Sequence, residues 1–237
     1  MAGLSQRFND AGFTLPKYML YARDKSLFNL AVSSFKSFFH TERFLFIARD
    51  LFCTREFIQK ECDLLGVAFF DIVILEQPTR GQAETVYLGI KKANLPKNEP
   101  ILIFNIDTFR IDYTTPLEIS NWDGYLEVFE GNGSNWSYAK TESANSTKVI
   151  QTAEKQEISS HCSTGIYYFR SIELFIDAYN EANLNIPNSK LKELYVAPLY
   201  NYLISKGRNI HIQIIERSKV LFCGVPSEYF NYLDTIG

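Results

Sequence analysis

The sequence predicts an α/β chain, a three-layer αβα domain built on a mostly parallel mixed sheet. Three observations lead there. Short apolar runs alternate with amphipathic segments, as in successive βαβ units. The chain has 237 residues, enough for one substantial core. Hydrophobic residues make up 46% and charged residues 22%, a globular balance.

The elements follow in order. Phe44 to Ala48 reads as a buried strand. Thr54 to Leu65 reads as a helix, with Thr54 placed to cap it and an acid in its first turn. Val67 to Leu75 is the next strand. Gln82 to Ala93 is a helix that sets Ala83, Val86, Tyr87 and Ile90 on one face. Ile101 to Ile106 is a strongly apolar strand running into Asp107.

Beyond that point the rhythm changes. Gly124 to Glu130, Trp136 to Lys140, Lys148 to Ala153 and Gly165 to Phe169 read as strands. The loops at 131–135 and 141–147 are rich in Gly, Ser and Asn and should be exposed turns. Helices are expected at Ile172 to Ala182 and Ser189 to Ser205, and a late strand at Ile210 to Ile215. Residues 1–237 are expected to form a single domain, with 1–115 as one half and 116–237 as the other.

Composition removes several classes. The net charge is -3 and no Lys/Arg stripe is visible, which argues against a general nucleic-acid binder. Cys53, Cys62, Cys162 and Cys223 form no C-x-x-C pair and no zinc spacing. His40, His161 and His211 are scattered, so no catalytic or metal-binding histidine pair is legible. The opening MAGLSQRFND has no apolar signal core, and the apolar run from Val67 to Leu75 is too short to span a bilayer. A cytoplasmic protein is the expectation. The aromatic residues Trp122, Tyr125, Trp136 and Tyr138 fit either core filling or a wall for a small zwitterion.

The opening carries the most chemistry. A glycine and small residues precede Arg7, and Pro16-Lys17 follows ten residues on. Such a loop turns backbone N–H groups toward phosphate oxygens and supplies cations after them. Arginine suits bidentate phosphate contact, and lysine a compact point charge.

MAGLSQRF followed by LPK resembles the G-x-G-x-R…P-K signature of the sugar-nucleotide pyrophosphorylase and cytidylyltransferase superfamily. Four further blocks resemble it in the same order: TRGQAETVYLGI, ILIFNID, VIQTAEKQEISSHCSTGIYYF and LFCGVPSEYFNYL. The resemblance covers nearly the whole chain. It implies a Rossmann-like nucleotidyltransferase domain that joins a nucleoside triphosphate, CTP favoured, to a small phosphorylated acceptor and releases pyrophosphate. Phosphoglutamine of capsule modification is one such acceptor. A sugar 1-phosphate or phosphocholine is the nearest alternative.

The resemblance also implies roles. Ala2, Gly3, Leu4, Ser5 and Gln6 would cradle the triphosphate, and Arg7 would neutralise the departing pyrophosphate. Lys17 would sit on the α-phosphate, and Asp107 would bind Mg²⁺. Gln77, Gly81 and Gln82 would line the base. Gly124, Glu154 and Lys155 would face the acceptor. The 1–115 half would then bind nucleotide and the 116–237 half the acceptor.

Three positions depart from the family pattern. The family's phosphate loop follows a buried first strand, which here is either absent or upstream of Met1; Ser5 replaces the second glycine, and Phe222 stands where the family often has a second metal-binding Asp. Two readings from other classes stay open. A glycosyltransferase would want Asp-x-Asp where the chain has Asn105-Ile106-Asp107. A noncatalytic nucleotide-binding module would fit Phe222.

Overall fold

The computed structural model describes Met1, Gly3 and residues 6–185 and 193–236. In chain order the elements begin with α1 (Gln6–Asp10), β1 (Tyr21–Ala22), β2 (Lys25–Ser26), α2 (Leu27–Ser33), β3 (Phe44–Ala48) and α3 (Thr54–Leu65). There follow β4 (Phe70–Ile74), α4 (Gln82–Ala93), β5 (Ile101–Ile103), β6 (Thr108–Arg110), β7 (Gly124–Glu130), β8 (Ser137–Thr141) and β9 (Val149–Glu154). The last are β10 (His161–Phe169), α5 (Ile172–Asn185), α6 (Tyr200–Ser205), β11 (Ile210–Ile215), β12 (Val220–Phe222) and α7 (Pro226–Ile236).

The chain forms two compact units, and neither is continuous in sequence. The first comprises Met1–Thr79, Asn105–Tyr113 and Lys219–Gly237. The second comprises Arg80–Phe104 and Thr114–Ser218. The division therefore does not fall at residue 115. The 80–104 stretch belongs with the later residues, and the 219–237 stretch with the opening.

In the first unit β3 and β4 pair in parallel, Phe44 opposite Phe70 through Ala48 opposite Ile74. Burial alternates along β3: Phe44, Phe46 and Ala48 are buried, while Leu45 and Ile47 are only partly covered. β6 and β12 pair antiparallel, Thr108 opposite Phe222. Phe8, Leu27, Ala31, Phe109, Cys223 and Tyr229 form one core cluster, which draws on all three stretches of this unit. Burying such side chains contributes about 1.5–3 kcal/mol each for the larger ones.

In the second unit β11-β7-β10-β8-β9 lie side by side, with β5 also pairing β10. β11 runs parallel to β7, and the other pairs of this sheet are antiparallel. The mixed α/β class holds, with a larger antiparallel share than the alternation of segments predicts. Ala83, Val86 and Ile90 of α4 are buried with Phe175 of α5 and with Leu126, Phe169 and Ile212 of the sheet. Tyr200 is fully buried and stacks on Phe169 at 4.6 Å. Its hydroxyl donates to the Tyr125 and Tyr168 carbonyls, which satisfies the polar atom that burial would otherwise strand.

Several expected boundaries shift for local reasons. β4 starts at Phe70 because Val67 N closes the end of α3 on Cys62 O and Ala68 N bonds Phe39 O. β5 stops at Ile103, and a turn from Asn105 to Thr108 carries the chain into β6. Thr54 does not cap α3. Cys53 stands at that position in left-handed backbone, and the Thr54 hydroxyl bonds Leu51 O and the Tyr18 hydroxyl. The helix expected from Ser189 begins only at Tyr200, after a short turn carrying Pro198. Residues 186–192 lie outside the described ones. The four aromatic residues weighed as a wall are packing residues: Trp122, Tyr125 and Tyr138 are buried, and Trp136 packs edge-on against Phe129. Among the described residues no helix is long and apolar enough to cross a membrane.

Candidate functional site

Lys17 opens a 3-10 turn behind Pro16, whose fixed φ of -55 sets the entry. Asp107 ends the turn that leads into β6. The Lys17 ammonium donates to Asp107 Oδ2, joining residues 90 apart in the sequence within the first unit. Both side chains are about a fifth to a quarter exposed, at 24% and 20%. Burial works to raise the Asp107 carboxyl, but the Lys17 charge and hydrogen bond outweigh it and hold the carboxyl below the usual carboxylate range.

The closing segment is tied to the same place. Cys223 N donates to Asp107 O at 2.8 Å. A side-chain carbon at Gly224 would stand 3.3 Å from Asp107 Oδ2 and 3.6 Å from Glu228 Oε2, so glycine leaves room between two carboxylates. Glu228 accepts from Gly224 N (2.8 Å) and Val225 N (3.2 Å) at the start of α7. That is a helix-capping task. Among the described residues no group of three or more His, Cys, Asp or Glu is placed to hold a metal ion.

The other opening residues are placed less tightly. Ala2, Leu4 and Ser5 lie outside the described residues. Gly3 is exposed, and a side chain there would meet nothing within 4 Å. Gln6 starts α1 and donates to Asp10, and Arg7 is exposed on the same short helix. Gln77 is exposed beyond β4 in the first unit.

Gly81 and Gln82 belong to the second unit. Gly81 has φ +148, and a Cβ there would lie 2.4 Å from Leu194 O. Leu194 N bonds Arg80 O, and Ala83 N bonds Leu194 O, so the turn into α4 is locked backbone to backbone. Gln82 is the first residue of α4. Arg80 braces the turn, donating to Glu84 at 2.8 Å through Nε and to Asn183 at 2.9 Å.

Glu154 ends β9 and Lys155 follows in left-handed backbone at φ +55. The Ser137 hydroxyl donates to Glu154. Lys155 Nζ donates to the Tyr195 hydroxyl at 2.6 Å, and Tyr195 donates onward to Glu193. The bond to Tyr195, before any other influence, raises the Lys155 ammonium. Gly124 is not brought to this pair. It faces Phe169 at the far end of β10, whereas β8, which carries Ser137, meets β10 at Cys162. At about 3.3 Å per residue those ends are roughly 20 Å apart. Gly124 is glycine for packing: a Cβ would sit 2.8 Å from both Tyr168 O and the Tyr200 ring.

Sequence reasoning missed Ser137, Glu193 and Tyr195. They reach Glu154 and Lys155 only through strand register and a distant loop, and no local spacing announces them.

The Glu154 carboxyl is raised, mainly by burial, against the Ser137 hydrogen bond and the Lys155 charge. Its ionisation therefore opposes folding. That cost is absent below the unfolded-state value of about 4.3 and complete above the raised folded value. Glu154→Gln should melt at or above the parent at pH 7, with the advantage gone near pH 4. Melting curves at the two pH values check this, and a variant less stable at pH 7 would contradict it.

A scan against family models finds no match, and neither does a search of curated proteins. Solved structures do match. A nucleoside-diphosphate-sugar pyrophosphorylase from Vibrio cholerae is 49% identical, covering 99% of this chain and 98% of that one, with a TM-score of 0.95. A UDP-glucose pyrophosphorylase complexed with UDP-glucose is 17% identical over 99% and 95%, with a TM-score of 0.74. The inositol-1-phosphate CTP transferase from T. maritima is 12% identical over 99% and 92%, with a TM-score of 0.73. The last two share the fold.

Proposed function

The chain belongs to the nucleotidyltransferase superfamily, with the nucleoside-diphosphate-sugar pyrophosphorylases, and from that premise we infer that it transfers a nucleoside monophosphate from a nucleoside triphosphate to a small phosphorylated acceptor, releasing pyrophosphate. The observation that carries this reading is the Lys17–Asp107 pair, a cation and an anion drawn from distant stretches to one place. CTP is the favoured donor, and phosphoglutamine is one acceptor of the right chemistry. A sugar 1-phosphate is the second reading, favoured by the 49% identical pyrophosphorylase.

The acceptor phosphate is already anionic, so attack on the α-phosphorus needs no base. This fits a chain whose three histidines are scattered. The remaining task is to align two anions and spread their charge. In this reading Lys17 moves from Asp107 to the α-phosphate as nucleotide enters. Arg7 meets the β- and γ-phosphates, with residues 2–6 supplying backbone donors. Glu154 and Lys155 hold the acceptor, Lys155 oriented by Tyr195.

The donor set fits Mg²⁺. This ion is usually held by one or two carboxylates plus substrate phosphates and water, and Asp107 offers one carboxylate. When bound, the ion neutralises phosphate charge. A site with a single carboxylate suits an ion that arrives with its nucleotide.

The test is pyrophosphate release from CTP, UTP, GTP, ATP and dTTP, each with Mg²⁺ and either phosphoglutamine or a panel of sugar 1-phosphates. Release that needs one triphosphate, one acceptor and Mg²⁺ together is the expected result. Release without acceptor, or none in any combination, would count against transfer.

A further inference from the structure

Arg49 is the first residue beyond β3, at the carboxyl end of a parallel strand pair, where open α/β sheets bind their ligands. Its Nε is buried and makes no hydrogen bond among the described residues. Other guanidinium groups of this unit differ: Arg43 has Asp71, Arg55 has the Ile72 carbonyl, and Arg110 has the Ile111 carbonyl. The neighbouring acid, Asp50, accepts from Arg55 N at the start of α3, and among the described residues it makes no bond to Arg49. A guanidinium stays charged in any protein environment and has only donors to offer. With its Nε buried and lacking an acceptor, it costs stability, and such groups call for an explanation.

The surroundings indicate what the acceptor is. On one side of β3, Met1 N donates to Ile47 O at 2.8 Å, and the charges of Lys17 and Asp107 act on that same nitrogen. The other side is β4, where Leu75 N donates to Ala48 O at 2.8 Å and Gln77 follows two residues on. Arg49 thus stands between the phosphate-facing opening and Gln77, the residue assigned to the base. The loop that carries it is held in an unusual shape: Phe52 and Cys53 both take left-handed backbone at φ 58 and 56.

We propose that Arg49 reads the nucleobase, its guanidinium donating to an exocyclic carbonyl oxygen and so selecting cytosine, uracil or guanine over adenine. This rests on the nucleotidyl-transfer reading and adds the base class to it. Cytosine, uracil and guanine carry a carbonyl oxygen, and adenine has none. A donor-only fork matches the first three and leaves adenine's amino group facing a donor.

The experiment is calorimetric titration of CTP, UTP, GTP, ATP and pyrophosphate into the parent chain, Arg49→Met and Arg49→Lys. The parent should prefer at least one carbonyl-bearing triphosphate over ATP by tenfold or more. Arg49→Met should weaken that triphosphate about ten- to a hundredfold while leaving ATP and pyrophosphate unchanged. Arg49→Lys should not restore the preference, because it keeps charge and loses the fork. Free Arg49→Met should melt no lower than the parent, since no protein bond to Nε is lost. Equal weakening of every triphosphate and of pyrophosphate would make Arg49 a phosphate contact and overturn the proposal. Unchanged affinities for all ligands would sink it while leaving nucleotidyl transfer standing. A parent chain that binds no triphosphate would sink both.

Discussion

Lys17→Ala should lower kcat for pyrophosphate release by about 10²–10³-fold, the usual cost of removing one preorganised electrostatic group. The effect should fall on kcat more than on KM, because charge accumulates on the α-phosphate in the transition state. Lys17→Arg should rescue poorly, since a planar fork does not replace a compact ammonium. The variant has a second consequence in the free protein. Asp107 loses the partner that offsets its burial. Its carboxyl should climb, and stability should fall by about 1–3 kcal/mol, as for a charged group left without its bond. Rates under saturating substrate and a denaturant midpoint separate the two effects. A variant with unchanged kcat but a lowered midpoint would make Lys17 a structural partner of Asp107 and nothing more.

Gly81→Ala should cause a large loss of stability. The methyl group would enter at 2.4 Å from Leu194 O and 2.8 Å from Leu194 N, both backbone atoms. It cannot be relieved by a rotamer change, because the Leu194 peptide is hydrogen-bonded on each side, to Arg80 and Ala83. The φ of +148 adds strain for any residue with a Cβ. Backbone strain and overpacking each cost about 1–3 kcal/mol, so a loss of about 3 kcal/mol or more is expected. Gly3→Ala, where nothing stands within 4 Å, is the control and should be neutral. If Gly81→Ala unfolds at the parent's denaturant midpoint, the close approach to Leu194 is absent in solution.

Much of this was legible in the sequence. β3, α3, α4, β7 and β11 occupy the residues that periodicity assigns, because each is long and strongly patterned. Lys17 and Asp107 were marked by short motifs, and the fold joins them. The first 43 residues were silent on structure. Their strands are two residues long, and α2, capped by Ser26, which accepts from Asn29 N, is only seven residues long, too short for its apolar pattern to stand out. Gly124 was placed at the acceptor by the resemblance alone, and what the fold adds is a packing reason for glycine there, against Tyr168 O and the Tyr200 ring. Arg49 and Tyr195 carried no signal at all. Their surroundings depend on β3–β4 register and on the fold of residues more than 20 positions away, which local pattern does not encode.

The interleaving of the two units bears on how the protein is made. A chain leaves the ribosome from its amino end at about 5–20 residues per second, and contiguous domains fold as they emerge. The second unit's larger stretch, Thr114–Ser218, is a continuous run and has its partners on hand early. The unit holding Lys17 and Asp107 does not. Its core needs Cys223 and Tyr229, so Phe8, Leu27 and Phe109 must wait for residues made well after them before their apolar surface is covered. Until those residues emerge the nascent chain carries Phe8, Leu27 and Phe109 without that cover, which is when a chaperone has something to hold.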